Sequence, residues 1–363
     1  MKNKIGIIAQ FPPPIHGLSK AVDTLFKSHL KDEFLFEKID ITNNKKILSN
    51  LINIWNSDAD LFYLTISQTK GGNLRDLLIM KILLLKKKKC IIHLHGGYFR
   101  KLLDNDMNYL QKKMNYKLIR KLDGAIVLSN SLKEIFKGLL PEEKIYVIPN
   151  CVDDEYLVTN NEFENKVSLL KSKSVFNILY LSNFIESKGY KQVLKMAKLE
   201  KDRLESSGKR RYHFNFAGSF FDDKERAYFF NYIKKYGLQK IVEYHGIVEG
   251  EKKKELLKTN DVFILLTRYE KEGQPISILE AMGNGLIIVT TDHAGIPDVV
   301  KHEENGYVSS SQDVIAIQEW LLQNSVRFAE IVKVNRNEVK SNYRQNTYIS
   351  KMKDVFVHSI ENR

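Results

Sequence analysis

The sequence predicts an α/β protein with two Rossmann-like, doubly wound domains, each built on a parallel sheet. Two series of short apolar strands alternate with segments of helical periodicity, which is the pattern of parallel sheets covered by helices. A polar, weakly periodic stretch at residues 150–174 separates the two series and is predicted to be a linker. Ligands of open sheets bind outside the carboxyl ends of the strands, so we expect the two domains to face each other across a cleft.

Both predicted domains can be divided into elements from the spacing of their apolar residues. The first domain covers residues 1–168 and the second covers residues 169–345. The predicted strands are Lys4–Gln10, Phe36–Ile41, Leu61–Thr65, Cys90–His95, Gly124–Leu128 and Ile145–Ile148, then Phe176–Leu181, His213–Ala217, Val242–Tyr244, Val262–Leu266 and Ile287–Thr290. Helices are predicted at Gly17–Leu30, Arg75–Leu85 and Tyr109–Leu122. Residues 346–363 carry an apolar stripe that predicts a last helix packing back on the first domain.

The composition is that of a globular protein, and 43% hydrophobic residues can supply a core for each domain. No apolar run approaches the ~20 residues that a membrane span needs, and the N-terminus leads into a strand rather than a signal peptide. We therefore expect a cytoplasmic protein. Cys90 and Cys151 have no neighbours at metal-ligand spacing, so free thiols are expected.

The positive charge is concentrated in the first domain. The formal net charge is +13, and residues 1–150 hold 25 Lys and Arg against 14 Asp and Glu. The densest stretches are Lys86–Lys89 and Tyr109–Lys121, where basic and aromatic residues mix. Such a surface suits peripheral contact with an anionic membrane, at the inner face of the cell membrane, or a pyrophosphate-bearing acceptor. A solvated lysine-rich face is the alternative.

Glu272 and Glu280 form the most informative pair in the chain. Pro275 lies between them, and apolar residues follow it at helical spacing, so a helix is predicted to begin at Gln274-Pro275. Burying a carboxylate such as Glu280 without hydrogen bonds costs several kcal/mol, so it needs a polar partner, which we expect to be a ligand. The alternative is a capped helix with a solvated Glu.

The segment Glu272–Gly285 resembles the donor-site signature of the retaining glycosyltransferases of family 4, in which Glu, seven residues and Glu precede Ala-Met and a glycine-containing turn. The resemblance implies the GT-B fold, with an acceptor-side first domain and a second domain that binds a nucleotide sugar. It also implies that Glu272 contacts the donor sugar and Glu280 the ribose. Four intervening residues would line the donor: Gly273, Gln274, Pro275 and Ile276.

Lys188 and Asn183 follow the first strand of the second domain, in a loop that resembles the phosphate-gripping loop of the family. Most members have Arg at the position of Asn183, so Lys188 would be the main cation on the leaving diphosphate, helped by the Asn183 amide. The alternative is a surface lysine at a helix start, where the helix dipole disfavours a cation. Gly218 and Gly246 end strands as the glycine turns of the family do near the nucleotide.

In the first domain, His16 and Gly17 join the first strand to the first helix. Gly17 allows close backbone approach to a bound group, and the resemblance makes both residues donor-binding candidates, with an exposed proline turn as the alternative. His95 ends a buried strand before two glycines, and the resemblance implies that it hydrogen-bonds the transferred sugar. His93 is predicted to be a core histidine.

No metal site and no cofactor are expected. His93 and His95 lie two residues apart, but no carboxylate or Cys accompanies them at ligand spacing. Asp58-Ala-Asp60 and Asp104-Asn-Asp106 have a spacing by which another transferase fold holds a metal-bound nucleotide, but turns and helix caps explain both.

The resulting hypothesis is a retaining, metal-independent glycosyltransferase of cell-surface polysaccharide biosynthesis, such as that of capsule or lipopolysaccharide. Its donor would be a nucleotide diphosphate sugar, a UDP-sugar rather than a GDP-sugar, and its acceptor a glycan or lipid-linked saccharide. A nucleotide-sugar 2-epimerase of the same architecture is one alternative. A non-catalytic basic binding protein is the other, although nothing in the sequence resembles a nucleic-acid-binding module.

Overall fold

A computed structural model describes residues 2–13 and 17–361, which form two compact units. The first unit contains residues 2–13 and 17–151, the short segment Glu270–Gln274 and the C-terminal segment 345–361. The second unit contains Val152–Tyr269 and Pro275–Arg344. Each unit is a six-stranded parallel sheet surrounded by helices, which confirms the predicted fold class.

The first unit has the strand order β2-β1-β3-β4-β5-β6. Its elements in chain order are β1 (Lys4–Ala9), α1 (Gly17–Lys27), β2 (Leu35–Asp40), α2 (Ile47–Asn56), β3 (Leu61–Thr65), α3 (Lys70–Leu85), β4 (Lys89–His93), the single turn α4 (Phe99–Lys101), α5 (Tyr109–Ile119), β5 (Gly124–Val127) and β6 (Ile145–Val147). The C-terminal helix Gln345–Glu361 belongs to the same unit.

Two apolar cores cover the opposite faces of this sheet. Successive residues of a strand point to opposite sides, so Phe62 lies in one core and Tyr63 in the other. The Phe62 core is closed by α2, α3 and α5. The Tyr63 core is closed by α1 and the C-terminal helix, whose Met352 and Phe356 are fully buried.

The second unit has the strand order β12-β11-β10-β7-β8-β9. Its elements are α6 (Asn160–Leu170), β7 (Phe176–Leu181), α7 (Tyr190–Ser207), β8 (Tyr212–Ala217), α8 (Asp223–Lys235), β9 (Val242–Tyr244), α9 (Gly250–Thr259), β10 (Val262–Leu265), α10 (Ile276–Gly283), β11 (Ile287–Thr291), β12 (Gly306–Ser309), α11 (Val314–Gln323) and α12 (Phe328–Asn342). The C-terminal helix Gln345–Glu361 is therefore α13.

The prediction of a linker at residues 150–174 was wrong, because helix α6 lies within it. The side chain of Thr159 accepts a hydrogen bond from the backbone of Glu162, and the Glu162 carboxylate accepts one from the backbone of Thr159. This capping box starts the helix. Phe163 and Val167 of α6 are buried in the core of the second unit, so that unit begins at Val152 rather than at residue 169.

Strand β12 was missed by the sequence analysis because its four residues, Gly-Tyr-Val-Ser, show no apolar run. It pairs with β11 at the sheet edge. Among the described helices, none is both long and apolar enough to cross a membrane. Likewise, no cluster of three or more His, Cys, Asp or Glu side chains in the described residues is arranged to hold a metal ion.

Candidate functional site

The loop that follows β7 positions Lys188 at the carboxyl edge of the second sheet. Gly189 comes next, with φ of +83°, and a Cβ atom there would lie 2.4 Å from the carbonyl oxygen of Leu266, directly after β10. Only glycine fits so close an approach in this left-handed conformation. The Lys188 ammonium lies 5.2 Å from the centre of the Tyr269 ring, and α7 begins immediately after Gly189. The cationic side chain of Lys188 therefore lies beside the start of helix α7.

The predicted residues Asn183, Gly218 and Gly246 come together at the same edge. The Ser219 hydroxyl donates to the Asn183 side-chain oxygen at 2.9 Å, which links the loops after β7 and β8. Gly218 has φ of +142°, and a Cβ atom there would lie 2.0 Å from the Ser182 carbonyl oxygen. The Gly218 N–H donates to the Gly246 carbonyl at 2.8 Å. The loops that follow β7, β8 and β9 are therefore in contact with one another.

Arg268 is a second cation of this edge that the sequence analysis missed. Its backbone N–H donates to the Ser187 carbonyl at 2.6 Å, so it adjoins the Lys188 loop. Its guanidinium pairs with Asp292 at 2.6 Å. Arg268 comes three residues after the end of buried strand β10, which is a usable sequence signal because the carboxyl ends of parallel strands collect ligands.

Glu280 lies within α10, just over one turn from its start, and only 1% of its surface is exposed. The Lys253 ammonium of α9 lies 2.6 Å from its carboxylate and 4.3 Å from the centre of the Tyr156 ring. The protein itself therefore supplies a polar partner for Glu280, where the sequence analysis expected a ligand. That lysine could not be recognised from sequence, since it comes from a different helix.

The predicted helix start is close to the observed one. Pro275 is the residue before α10, with extended backbone, and Ile276 is the first helical residue. Pro275 is buried and Ile276 is half-buried. The N–H groups of the first helical turn have no partners within their own helix and favour an anion.

Glu272, in contrast, belongs to the first unit, where it lies next to His95. A Cβ atom on Gly273 would be 2.9 Å from the His95 carbonyl oxygen, and a Cβ atom on Gly96 would be 2.5 Å from the Lys271 carbonyl oxygen. Because Gly96 and Gly273 have no side chains, the backbone next to Glu272 packs directly against the backbone next to His95. Glu272 is 9% exposed.

Gln274 and Gln68 anchor this segment. The backbone N–H and the side-chain amide of Asn150 donate to the Gln274 side-chain oxygen and carbonyl, each at 2.8 Å. Gln68, in the loop after β3, accepts from the Tyr98 N–H at 2.7 Å, and a Cβ atom on Gly96 would lie 2.0 Å from its amide nitrogen. Sequence analysis missed Gln68, since a lone Gln after a strand carries no motif.

His93 is a core residue, as expected, and its ring packs against the ring of His95. The hydroxyl of Tyr63 lies 2.6 Å from His93 Nδ1, and the rings of His93 and His95 are 3.8 Å apart between their centres. Burial, with a further contribution from His95, holds the pKa of His93 well below its usual value, so this imidazole is neutral at pH 7. In the part of the chain that the structure describes, His93 Nε2 has no hydrogen-bond partner.

Two candidates remain, Gly17 and His16. Gly17 is the first residue of that helix and is exposed. His16 lies outside the described residues. The predicted site residues that the structure describes fall into two groups, one in each unit: Gly17, His95, Glu272, Gly273 and Gln274 in the first, and Asn183, Lys188, Gly218, Gly246, Pro275, Ile276 and Glu280 in the second.

Several known proteins are similar to this chain. The putative colanic acid biosynthesis glycosyltransferase WcaL of Escherichia coli is 31% identical over 121 residues, which are 31% of this chain and 30% of that protein. The chain thus spans less than a third of the length of the two colanic acid relatives it matches. The Escherichia coli enzyme described as UDP-Gal:alpha-D-GlcNAc-diphosphoundecaprenol alpha-1,3-galactosyltransferase is 24% identical over 76% of this chain and 70% of its own length.

Solved structures show the same fold. Anabaena HepE in complex with UDP has a TM-score of 0.76 at 14% identity and covers 98% of this chain and 100% of its own. Two family models also match, "Glycosyltransferase Family 4" over residues 71–156 and "Glycosyl transferases group 1" over residues 161–326. Together they span more than half of the sequence. The chain belongs to the family 4 glycosyltransferases, with the GT-B fold.

Proposed function

We propose that this protein is a retaining glycosyltransferase that moves a sugar from a UDP-sugar to a glycan or lipid-linked saccharide in cell-surface polysaccharide biosynthesis. The observation that carries the proposal is the convergence of Lys188, Asn183 and two glycine turns at the carboxyl edge of the second sheet. Such an edge, with a cation beside a helix start, suits a diphosphate. UDP as the nucleotide is supported by HepE, whose solved complexes contain UDP and UDP-glucose.

Residues of the protein can be assigned to each part of the donor, beginning with the diphosphate. Lys188 and the first N–H groups of α7 take the diphosphate, and the backbone of Gly218 and Gly246 allows the nucleotide to approach closely. Glu280 takes the ribose hydroxyls, while the Lys253 ammonium, 2.6 Å away, holds this carboxylate in place. For the sugar end we assign Glu272 and His95, as the family resemblance implies.

To transfer the sugar with its anomeric configuration retained, the enzyme must hold the leaving diphosphate and the attacking acceptor hydroxyl on the same side of the sugar. The negative charge that develops on the diphosphate is offset by Lys188 and by the α7 start, which are in position before the reaction begins. No side chain is assigned as a covalent nucleophile. This chemistry needs no metal ion.

The acceptor is assigned by class. One relative that matches 76% of this chain is described as acting on a sugar linked to diphosphoundecaprenol, and other relatives are described as enzymes of colanic acid and amylovoran biosynthesis. A saccharide on a lipid diphosphate therefore suits the proposal.

Transfer of labelled sugar from a panel of UDP- and GDP-sugars to lipid-linked saccharides tests the proposal. We expect transfer from a UDP-sugar, with the anomeric configuration retained and with activity within about twofold after EDTA treatment. Lys188→Ala should lower kcat by ~10²–10³, because it removes one donor to developing charge. Lys195→Ala, on the exposed side of α7, is the matched control and should leave kcat unchanged.

Three outcomes would contradict the proposal. One is conversion of the donor into an isomeric nucleotide sugar without acceptor, which is epimerase chemistry. Another is nucleotide release that is faster without acceptor than with any glycan. The third is a Lys188→Ala variant that is as active as the Lys195→Ala control.

A further inference from the structure

One face of the first unit combines exposed apolar side chains with a high density of lysine. Helices α2, α3 and α5 lie side by side, with α3 in the middle, over the same face of the sheet. Their inner sides are buried in the core that contains Phe62. We call their outer surface the three-helix face. It lies on the helix side of the unit rather than at the strand ends that carry the candidate site residues.

The apolar residues of this face are arranged in stripes. Leu48, Ile52 and Trp55 recur on α2 at intervals of four and three residues, so they share one side of the helix. They are 74%, 59% and 51% exposed. On α3, Leu74, Leu78, Lys81 and Leu85 are exposed and again form one stripe. Tyr109 and Leu110 continue the apolar surface at the start of α5.

A stripe of large exposed apolar side chains on each of two neighbouring helices is unusual for a surface that faces only water, because such side chains are normally scattered singly. These stripes therefore indicate a surface that a binding partner covers in the functional state of the protein.

The exposed charges carried by the three helices themselves are all positive, although Asp104, which precedes α5, pairs with Lys112. Within α2, α3 and α5 the only acidic residue is Asp76, and its side chain is fully buried beside Arg75. Basic residues are numerous on these helices and at their ends: Lys45, Lys46, Lys70, Lys81, Lys86, Lys87, Lys88, Lys112, Lys113, Lys117, Arg120 and Lys121. A partner that covers this face must therefore be both apolar and negatively charged.

Two aromatic residues of the face are paired with lysines. The Lys86 ammonium lies 5.4 Å from the centre of the Trp55 ring, and the Lys113 ammonium lies 5.9 Å from the centre of the Tyr109 ring. Trp and Tyr are the side chains that favour the boundary between lipid headgroups and acyl chains, and lysines extend their charge to the phosphates beside them.

We propose that the three-helix face binds an anionic membrane surface, with the leucines, Ile52 and Trp55 inserted among the lipids and the lysines on the headgroup phosphates. Apolar and basic residues on the same helices are what interfacial binding requires. A protein partner fits less well, since the centres of protein interfaces are depleted of lysine. A second copy fits poorly too, because two faces of the same positive charge repel each other.

The proposal goes beyond sugar transfer and depends on no step of it. It gives the basic first unit a task that the candidate site does not require, namely to hold the enzyme where a lipid-linked acceptor is found. Membrane binding can therefore fail while transfer succeeds, and the reverse.

The test is co-sedimentation of the full chain with vesicles of phosphatidylcholine alone or mixed with phosphatidylglycerol. We expect binding to the mixed vesicles that weakens as salt is raised, and little binding to phosphatidylcholine. The apolar variant L48S/I52S/W55S should reduce the partition coefficient by about tenfold or more, because three large side chains no longer enter the lipid. Its matched control is I315S/V326S, which changes two exposed apolar residues of the second unit.

A charge variant makes the test independent of the apolar one. K112Q/K113Q/K117Q should also reduce binding to the mixed vesicles by about tenfold or more. The control K195Q/K209Q/K234Q removes three exposed lysines of the second unit and should bind as the unchanged protein does.

The proposal is overturned if the protein does not sediment with the mixed vesicles, or if both variants bind as tightly as their controls. It is also overturned if light scattering finds a dimer that L48S/I52S/W55S converts to monomer, since a second copy would then cover the face. Transfer to a water-soluble saccharide acceptor should be unchanged in both variants, which separates this proposal from the proposed sugar transfer.

Discussion

The buried ion pair between Lys253 and Glu280 gives the sharpest prediction about the second unit. Only 15% of the Lys253 side chain and 2% of the Glu280 side chain are exposed, and their charged groups are 2.6 Å apart. Replacing Lys253 by Met keeps most of the volume of the side chain but leaves the Glu280 carboxylate buried without its cation. Removing one partner of a buried pair typically costs ~3–5 kcal/mol.

Because the ammonium of Lys253 keeps some contact with water, we expect the lower end of that range. A loss of ~3 kcal/mol in a unit of this size lowers Tm by about 6–12 °C. Thermal unfolding of K253M measures it. The matched control is K254M, which changes the neighbouring half-buried lysine on the same helix and should lower Tm by no more than ~2 °C.

A double-mutant cycle with Glu280→Gln isolates the pair. In K253M/E280Q neither group is charged, so the double variant should be less destabilised than the sum of the two single changes, with a coupling of ~1–3 kcal/mol. The reasoning is refuted if K253M unfolds at the same temperature as K254M, or if the two changes are additive.

Three further predictions concern the segments that hold the candidate site. Gly189→Ala should destabilise the protein by at least ~2 kcal/mol, measured by thermal unfolding, because Cβ would meet the Leu266 carbonyl in a left-handed conformation; an unchanged Tm would refute this. Asn150→Ala removes the donor to the buried Gln274 carbonyl and should cost ~1–3 kcal/mol in urea unfolding, whereas a loss below ~0.5 kcal/mol contradicts the contact. Thr159→Ala should cost ~1 kcal/mol by loss of the capping box, and Thr159→Ser should restore most of it.

Sequence alone predicted the fold well because the evidence for it is local. Buried strands such as Leu61–Thr65 and Phe176–Leu181 are continuous apolar runs, and the structure begins and ends them at the predicted residues. Helix α6 was missed because its surface is polar along most of its length, although Thr159 and Glu162 carry the signal of a capping box. Strand β12 has too few residues to show any period.

The candidate site was only partly predictable, since much of it depends on residues that are distant in sequence. Glu280 could be identified as a buried carboxylate, but its partner Lys253 lies 27 residues earlier on another helix. Glu272 and Glu280 read as one motif, yet they belong to different units, with the chain passing from the first unit to the second between Gln274 and Pro275. Gln68 holds its segment of the first unit through contacts that no local pattern reveals, whereas Arg268 of the second unit could have been recognised from its place shortly after a buried strand.

The central claim is that the second sheet binds a nucleotide diphosphate sugar through Lys188 and Glu280, and a crystal structure with bound UDP-sugar tests it most directly. We predict the diphosphate within hydrogen-bond distance of the Lys188 ammonium, at the start of α7, and the ribose hydroxyls on the Glu280 carboxylate. A nucleotide bound elsewhere, with neither side chain in contact with it, would contradict the claim.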